Sequence, residues 1–532
     1  MGLKQLNPMN DKIQNLVVVG GGTAGWLTAG VIASEHACSS GNPPDGFQLT
    51  LVESPDIATI GVGEGTWPSM RSTLLKMGIS ETDFFRECSA SFKQGTLFTG
   101  WQTGAGNDTY THPFTAPHGY AETNLAPHWQ PQRDNINFAD AVSPQSSLFS
   151  GKLAPKQIST PEYAFQVNYG YHLDAGKFAE FLRKHCVEKL GVVHIKANVT
   201  GVNTADNGDI ASISTDSHGT VAGDLFIDCS GSRALLLGQH YKIPICDKND
   251  ILFNNSALAA QVPYNGDGDP IESCTLSTAQ TAGWIWDIGL PTRRGIGHVY
   301  SSGHISQERA GDELLSYITA TLGAKASAGA SLRKVEFSPG HRTKFWHKNC
   351  VAIGMSAGFI EPLEASALVL VELSAGMIAE QLPASRAVMD LVAKRFNEKF
   401  LYRWDRIIDF LKLHYILTQR KDTDYWRDNC RQESIPDSLQ ELVTLWRYQS
   451  PWHRDSQHVD EMFPSASFQY VLYGMGFHTR PNQTVRRSEL TEQKIADRLF
   501  QENAARTQQL IASMPTNRDL INKVYTYGFQ KI

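Results

Sequence analysis

The sequence predicts an α/β fold with a Rossmann-like module, a β-sheet region and a mainly helical C-terminal part. Near the N-terminus, an apolar run over residues 14–19 leads into a glycine-rich loop, a helical pattern and a second apolar run. This order is typical of a β-α-β unit. Residues 253–300 alternate in polarity as in an antiparallel sheet, and from residue 390 onward the pattern is mostly helical.

Length and composition set the limits of function. The chain has 532 residues, 41% of them hydrophobic and 19% charged, with a formal net charge of -6. A chain of this length can bury a large core and form more than one subdomain. No dense run of lysine and arginine occurs, which disfavours nucleic acid as a partner.

Cysteine usage and apolar stretches address metals and location. The eight cysteines are scattered and form no metal-ligand pattern, so we expect no metal site and buried free thiols. The first residues lack the apolar core of a signal peptide, and no uncharged apolar run is long enough to span a membrane. We therefore expect a cytoplasmic protein that does not bind membranes.

The glycine loop, residues 20–25, reads GGGTAG between the first strand and the first helix. Gly20 allows a tight turn, Gly22 lets the backbone approach a pyrophosphate, and Gly25 permits close helix–strand packing. The helix N-terminus favours the phosphate charge. Glu53 ends the second strand, where a ribose hydroxyl would bind. Dinucleotide binding is therefore predicted, with contacts from Gly20, Gly22, Thr23, Ala24, Gly25 and Glu53.

FAD is predicted rather than NAD. Two distant strands end in glycine turns, at residues 228–231 and 353–354, and a one-domain NAD enzyme would not need them. In a flavin fold, strands from later sequence return to complete the site. A glycine-rich segment at residues 60–68 also leaves backbone free to approach a flat ligand. The module is therefore predicted to be an FAD-binding Rossmann-like fold.

The domain division follows from these patterns. Residues 1–390 are predicted to form the FAD-binding module, with the sheet at about 253–300 and inserted substrate-binding loops at about 100–165, where Gly, Pro, Asn, His and Ser are frequent. Helices are expected at about 172–190 and 362–382, and strands at about 192–213. Residues 391–532 are predicted to be a helical region that covers the substrate.

Two further segments carry a resemblance to a known family. One is the W-x-W-x-I pattern at residues 284–288, and the other is GMSAGFIEPLE at residues 354–364. Together with the loop in its GGGTAGW form, they resemble the flavin-dependent halogenases of the tryptophan halogenase family, to about residue 430. The resemblance implies the flavin monooxygenase/halogenase type of the fold. It also implies that FADH2 from a separate NADH-dependent flavin reductase, O2 and a halide (bromide or chloride) yield hypohalous acid.

The resemblance also implies the catalytic residues. The family's catalytic lysine ends a Cys-x-Ala-Ser-aromatic-Lys pattern, which here is CSASFK at residues 88–93, so the lysine is Lys93. An ammonium can hydrogen-bond hypohalous acid, or its amine can form a haloamine, and either orients the halogen toward one ring carbon. The family's glutamate ends Pro-Leu-Glu, which is Glu364 here. Its carboxylate could hold the halogen species, or stabilise the ring cation and accept its proton.

Further residues are assigned by the same resemblance. Backbone amides of Ser366 and Ala367 would bind the halide, and His112 and Phe114, with Glu364, would contact the substrate. Trp284 and Trp286 would line the pocket or form a barrier near the flavin. Additional flavin contacts are expected from Val62, Gly63, Val202, Met355 and Leu368.

The chain departs from the family pattern at three places. Ala365-Ser366-Ala367 stands where the family commonly has Ser-Thr-Gly, and Gly289 stands where proline usually follows Ile288. In the region of residues 467–476 we find no glutamate followed by Phe-Trp, which members acting on free tryptophan use to bind the zwitterion. Charges desolvated without partners bind poorly. An electron-rich aromatic, indole or an indole derivative, is therefore expected as the substrate.

Two other functions remain open at this point. A flavin-dependent aromatic hydroxylase of related fold would not need Lys93, and a non-catalytic flavin-binding protein would need neither Lys93 nor Glu364. The resemblance also implies a monomer or homodimer.

Overall fold

The computed structural model describes residues 12–36, 47–57, 63–455, 458–480 and 489–531. Its centre is a six-stranded sheet whose strands are, in spatial order, Trp346–His347, Cys350–Ala352, Leu225–Asp228, Asn15–Val19, Gln48–Glu53 and Val193–Lys196. All neighbours are parallel except the edge strand Trp346–His347. The predicted β-α-β unit and the return of later strands to it are confirmed.

The central strands form because both faces of the sheet are covered. Residues 16–19 are all buried, which explains their continuous apolar run. Helix Thr23–Glu35 packs against helices Ala175–Lys189 and Ser366–Glu380. The carboxyl ends of the strands are thereby fixed relative to the helix that follows the glycine loop.

A seven-stranded sheet forms the second layer. Its strands, in spatial order, are Arg333–Glu336, Ser256–Pro263, Arg293–Tyr300, Gly283–Gly289, Thr275–Gln280, Gly95–Thr99 and Thr109–Pro113. The antiparallel sheet predicted over residues 253–300 supplies four of them, and the pairings among these four are antiparallel as expected. Thr275–Gln280 pairs in parallel with Gly95–Thr99, which brings the N-terminal half of the chain beside the W-x-W strand.

Three small sheets complete the strands. They are Val199–Thr204, Ile210–Thr215 and Thr220–Ala222; Ile245–Asp247, Gly340–Arg342 and Gly358–Phe359; and Gly63–Gly65, Gly170–Asp174 and Ser91–Lys93. In the last sheet, His172 lies opposite both Gly65 and Ser91, and Lys93 lies opposite Gly170. This sheet links the segment after the second strand to the predicted catalytic lysine.

Two predicted regions differ from the structure. Residues 100–165, expected as loops, contain strand Thr109–Pro113 and the short helices Leu125–Trp129, Phe138–Val142 and Gln145–Ser150. The helix expected over 172–190 begins only at Ala175, because residues 170–174 pair as the central strand of the small sheet. Short elements bordered by proline and glycine lack enough periodic residues to be recognised in sequence.

The remaining helices lie mainly in the C-terminal part, as predicted. They are Ser69–Lys76, Glu81–Cys88, Gln307–Leu322, Ala324–Ala328, Arg386–Ile416, Asp424–Asp428, Asp437–Trp446, Ser465–Gly474, Glu489–Ser513 and Asn517–Tyr527. Helix Arg386–Ile416 spans residue 390, and the division at that residue stays a prediction. Among the described ranges, no helix has the length and apolarity needed to cross a membrane.

Candidate active site

The glycine loop is packed too closely to tolerate side chains at two of its positions. Gly20 has a φ of +118°, and a Cβ there would lie 2.2 Å from the carbonyl oxygen of Cys229. A Cβ at Gly25 would lie 1.9 Å from the carbonyl oxygen of Gly20. At Gly22, by contrast, a Cβ would meet nothing within 4 Å. The open space therefore lies in front of helix Thr23–Glu35, where a pyrophosphate would approach.

The third glycine turn reaches the same place. Gly354 has a φ of +73°, and a Cβ there would lie 2.8 Å from Cβ of Ala24. The turn is fixed because the Ile353 amide donates to the Asp228 carbonyl at 3.0 Å and the Ser356 hydroxyl donates to the same oxygen. Met355 is 44% exposed on this turn. Three strand ends thus surround one open space lined by backbone, and the residues present fit FAD.

The other predicted flavin contacts are distributed around this edge. The Glu53 carboxylate accepts a hydrogen bond from His194 Nε2 at 2.7 Å, and Gly21 packs against the Glu53 side chain. Val202 is half-buried on strand Val199–Thr204, and Leu368 is buried in the first turn of helix Ser366–Glu380. Val62 lies outside the described residues. Gly63 faces Ile288 of the W-x-W strand, since a Cβ there would be 3.4 Å from Ile288 Cγ2.

Lys93 is a buried cation. It is 2% exposed, and burial lowers its pKa to about 8, although the charge of Glu364 opposes this shift. Its Nζ lies 5.4 Å from the ring centroid of Phe114. Within the described part of the chain, Nζ has no hydrogen-bond partner. Its protons are therefore available to a ligand.

Glu364 is a buried anion between two imidazoles. It is 5% exposed, His112 Nδ1 lies 3.0 Å from Oε1 and 3.1 Å from Oε2, and His414 Nε2 lies 3.2 Å from Oε1. Burial alone would raise the pKa of Glu364, but His112 and His414 hold it well below its usual range. His414 is oriented by Tyr110, whose hydroxyl is 2.6 Å from Nδ1.

The predicted halide donors follow Glu364 directly. Ala365 has a left-handed φ of +53° and precedes helix Ser366–Glu380. Such a conformation costs a non-glycine residue energy and is common at functional sites. Ser366 is buried and Ala367 exposed, and amides in a first helical turn have no partner within the helix. Two backbone donors are thus placed beside the carboxylate.

The two tryptophans of the W-x-W strand have different surroundings. Trp284 is buried, and its Nε1 donates to Oε2 of Glu361 at 2.7 Å. Trp286 is half-buried and packs over Gly297, where a Cβ would lie 2.1 Å from the indole. Their ring centroids are 6.4 Å apart. Gly297 therefore makes the room for the half-buried indole.

Aromatic rings form the wall beside Glu364. Trp67 donates through Nε1 to the Glu364 carbonyl at 2.7 Å and contacts Phe463, with ring centroids 4.9 Å apart. Phe463 stacks on Phe410 at 3.7 Å, and Phe410 contacts Phe468 at 5.0 Å. This wall is contributed by three separate parts of the chain and is apolar.

The structure brings Lys93, Phe114, Glu364 and the first turn of helix Ser366–Glu380 together, whereas the glycine loop and Met355 form a second cluster at the sheet edge. His112 lies in the first cluster, but its Nδ1 is bonded to Glu364. Sequence reasoning missed His414, Tyr110 and Glu361. The signal for His414 was a histidine within the apolar run of a long helix, which by itself favours a core residue.

Comparisons with known proteins agree with this geometry. The family model described as tryptophan halogenase matches residues 15–489. The crystal structure of a tryptophan halogenase from Shewanella frigidimarina is 51% identical, with a TM-score of 0.94, covering 99% of this chain and 100% of that one. A tryptophan 6-halogenase, ThaL, from Streptomyces albogriseolus is 30% identical, covering 97% of this chain and 99% of the relative. BrvH, a flavin-dependent halogenase from a Brevundimonas species, is 30% identical, with a TM-score of 0.82, covering 96% and 99%.

Proposed function

The chain belongs to the tryptophan halogenase family, and from this premise we propose that it halogenates indole or an indole derivative, guided by Lys93. It is a flavin-dependent halogenase that needs a separate flavin reductase, with FADH2, O2 and halide as co-reactants. The flavin, when bound, supplies the oxidation of halide to hypohalous acid. The observation that carries the proposal is the buried Lys93 ammonium without an internal hydrogen-bond partner, next to the ionised Glu364.

Each site residue has a defined task in this proposal. The Lys93 ammonium donates a hydrogen bond to hypohalous acid, and the Ser366 and Ala367 amides bind the halide. The Glu364 carboxylate stabilises the positive charge that develops on the ring and accepts the ring proton. Its low pKa favours charge stabilisation, while proton transfer from the strongly acidic ring cation remains downhill. The aromatic wall of Trp67, Phe410, Phe463 and Phe468 excludes water.

The substrate class follows from the polar groups on helix Ser465–Gly474. The Tyr470 hydroxyl donates to the Thr115 carbonyl at 2.8 Å, the Tyr473 hydroxyl donates to Ser450 at 2.8 Å, and the Gln469 amide donates to the Pro451 carbonyl at 2.6 Å. Because these groups are used internally, they do not pair with an α-ammonium or α-carboxylate. An uncharged indole avoids that desolvation cost.

The test supplies the enzyme with FAD, an NADH-dependent reductase, NADH, indole and either bromide or chloride. Haloindole, detected by mass spectrometry, is the expected product, with kcat/KM for indole at least about tenfold above that for tryptophan. Hydroxyindole as the product would contradict the proposal. The halide preference is read from parallel reactions, and light scattering tests the expected monomer or homodimer.

Lys93→Ala tests the central residue. We expect halogenation to fall by about 10³-fold or more, because the only donor to hypohalous acid in this proposal is removed. FAD binding, measured by fluorescence quenching, should persist, since Lys93 is not among the residues at the glycine loop. Lys76→Ala, at the end of helix Ser69–Lys76, is the matched control. Haloindole formation by Lys93→Ala at the rate of the control would disprove the role.

A further inference from the structure

Gly65 leaves a small empty space directly beside the Lys93 ammonium. A Cβ built on Gly65 would lie 3.0 Å from Nζ of Lys93, 3.4 Å from its Cδ and 3.5 Å from Cβ of Ala365. These are its three nearest heavy atoms. The first distance is an ordinary N–H···O hydrogen-bond length, and the other two are van der Waals contacts. We call this space the Gly65 recess.

Strand register explains why Lys93 reaches Gly65. His172 pairs with Gly65 on one side and with Ser91 on the other, and side chains two residues apart point to the same face. Lys93 therefore shares a face with the position that a side chain of residue 65 would occupy. Any side chain larger than hydrogen at this position would project toward the end of the lysine.

Backbone conformation does not account for this glycine. Gly65 is absent from the glycines with positive φ, and it lies within a regular strand. Glycine weakens a strand and often marks a place where a ligand approaches closely. Gly65 and Ala365 are both half-buried, whereas Lys93 is 2% exposed. The recess therefore lies on the side from which small molecules reach the ammonium.

We propose that the Gly65 recess binds the oxygen of hypohalous acid, and that Gly65, through its lack of a side chain, sets which hypohalous acids fit. The inference rests on the proposed role of Lys93. The ring's electron pair forms the carbon–halogen bond as the O–X bond breaks. The departing hydroxide takes a proton from the Lys93 ammonium and leaves as water, while the ring proton passes to Glu364 and then returns to Lys93. The sum is ArH + HOX → ArX + H2O.

Gly65→Ala fills the recess and is the first test. We expect haloindole formed per NADH consumed to fall at least about tenfold, with a larger fall for bromide than for chloride because bromine is larger. NADH consumption, FAD binding and Tm should match the wild type, and hypohalous acid caught by an added thiol should rise. Gly376→Ala is the control, since a Cβ there meets nothing within 4 Å.

Wild-type coupling by Gly65→Ala with both halides would overturn the inference. A joint loss of Tm, FAD binding and product would also overturn it, because it would show that Gly65 serves folding. Lys93→Ala is assayed in parallel: if that variant remains active, the proposed function fails first, and if only Gly65→Ala remains active, the inference alone fails.

Ala365→Gly probes the recess from its other wall. Its folding is safe because glycine readily adopts the φ of +53° found at this position. Removing this methyl enlarges the recess, so the ratio of brominated to chlorinated indole at equal halide concentrations should rise at least about twofold. An unchanged ratio would show that the recess does not determine halide size and would overturn the inference.

Discussion

Glu361 and Glu364 lie on the same short segment between the third glycine turn and helix Ser366–Glu380, and both are almost fully buried. Glu364 lies between two imidazoles, whose interactions outweigh its burial and hold its pKa well below the usual range. Glu361 accepts hydrogen bonds from the neutral donors Trp284, Asn254 and Tyr415, each at 2.7 Å, and burial raises its pKa. Partners, not residue type or depth, therefore determine which carboxylate is a ready anion.

The difference separates two tasks. The Glu364 side of the segment faces the space that contains Lys93, and Glu361 anchors the indole of Trp284 in the second sheet. A carboxylate that stabilises a developing cation must be charged beforehand. One that only accepts hydrogen bonds from an indole, an amide and a phenol need not be.

Glu364→Gln should have the largest effect of the variants that test this comparison. The amide is nearly isosteric but carries no charge, so we expect halogenation to fall by about 10²-fold or more. The measurement is kcat for haloindole formation, with FAD affinity as the control. Retention of wild-type kcat would remove the catalytic distinction between the two carboxylates.

His112→Phe should have an intermediate effect that depends on pH. Without this imidazole, burial raises the pKa of Glu364, so activity should be lost as the pH falls through the new value, by about tenfold for each pH unit below it. At higher pH the carboxylate is ionised and kcat should recover. His112→Asn keeps a donor near the carboxylate and serves as the rescue variant. Equal pH profiles for the wild type and His112→Phe would contradict this account.

Glu361→Gln should have the smallest effect on catalysis. The amide oxygen can still accept from Trp284, but the added NH2 takes the place of Oε1, which has no partner among the described residues. We expect the free energy of unfolding to fall by about 1 kcal/mol, measured by urea denaturation, with kcat close to that of the wild type. A collapse of kcat with unchanged stability would assign Glu361 to the chemistry.

The sequence alone was sufficient for the parts of the molecule that depend on backbone. The glycine loop, the second strand ending at Glu53 and the strand-glycine turns at residues 228–231 and 353–354 are local patterns with a steric cause. The antiparallel sheet at 253–300 was also predictable from alternation. These elements require only that neighbouring residues have the right size and polarity.

The surroundings of Glu364 could not be predicted in this way. His112 comes from an edge strand, His414 from a long helix and Tyr110 from the same strand as His112, and their contacts arise only when the second sheet and the C-terminal helices pack together. The Gly65 recess is similar, because it depends on the register of three short strands. Sequence spacing carries no information about such distances.

One end of helix Arg386–Ile416 contacts both carboxylates through adjacent residues, His414 beside Glu364 and Tyr415 bonded to Glu361. Adjacent residues point about 100° apart around a helix, so a small rotation or axial shift would move both contacts together. Transplanting the C-terminal region from a relative to alter substrate scope would therefore also reset the reactive carboxylate, unless this helix end is kept. Pocket shape and reactivity are mechanically joined in this enzyme and cannot be exchanged as independent modules.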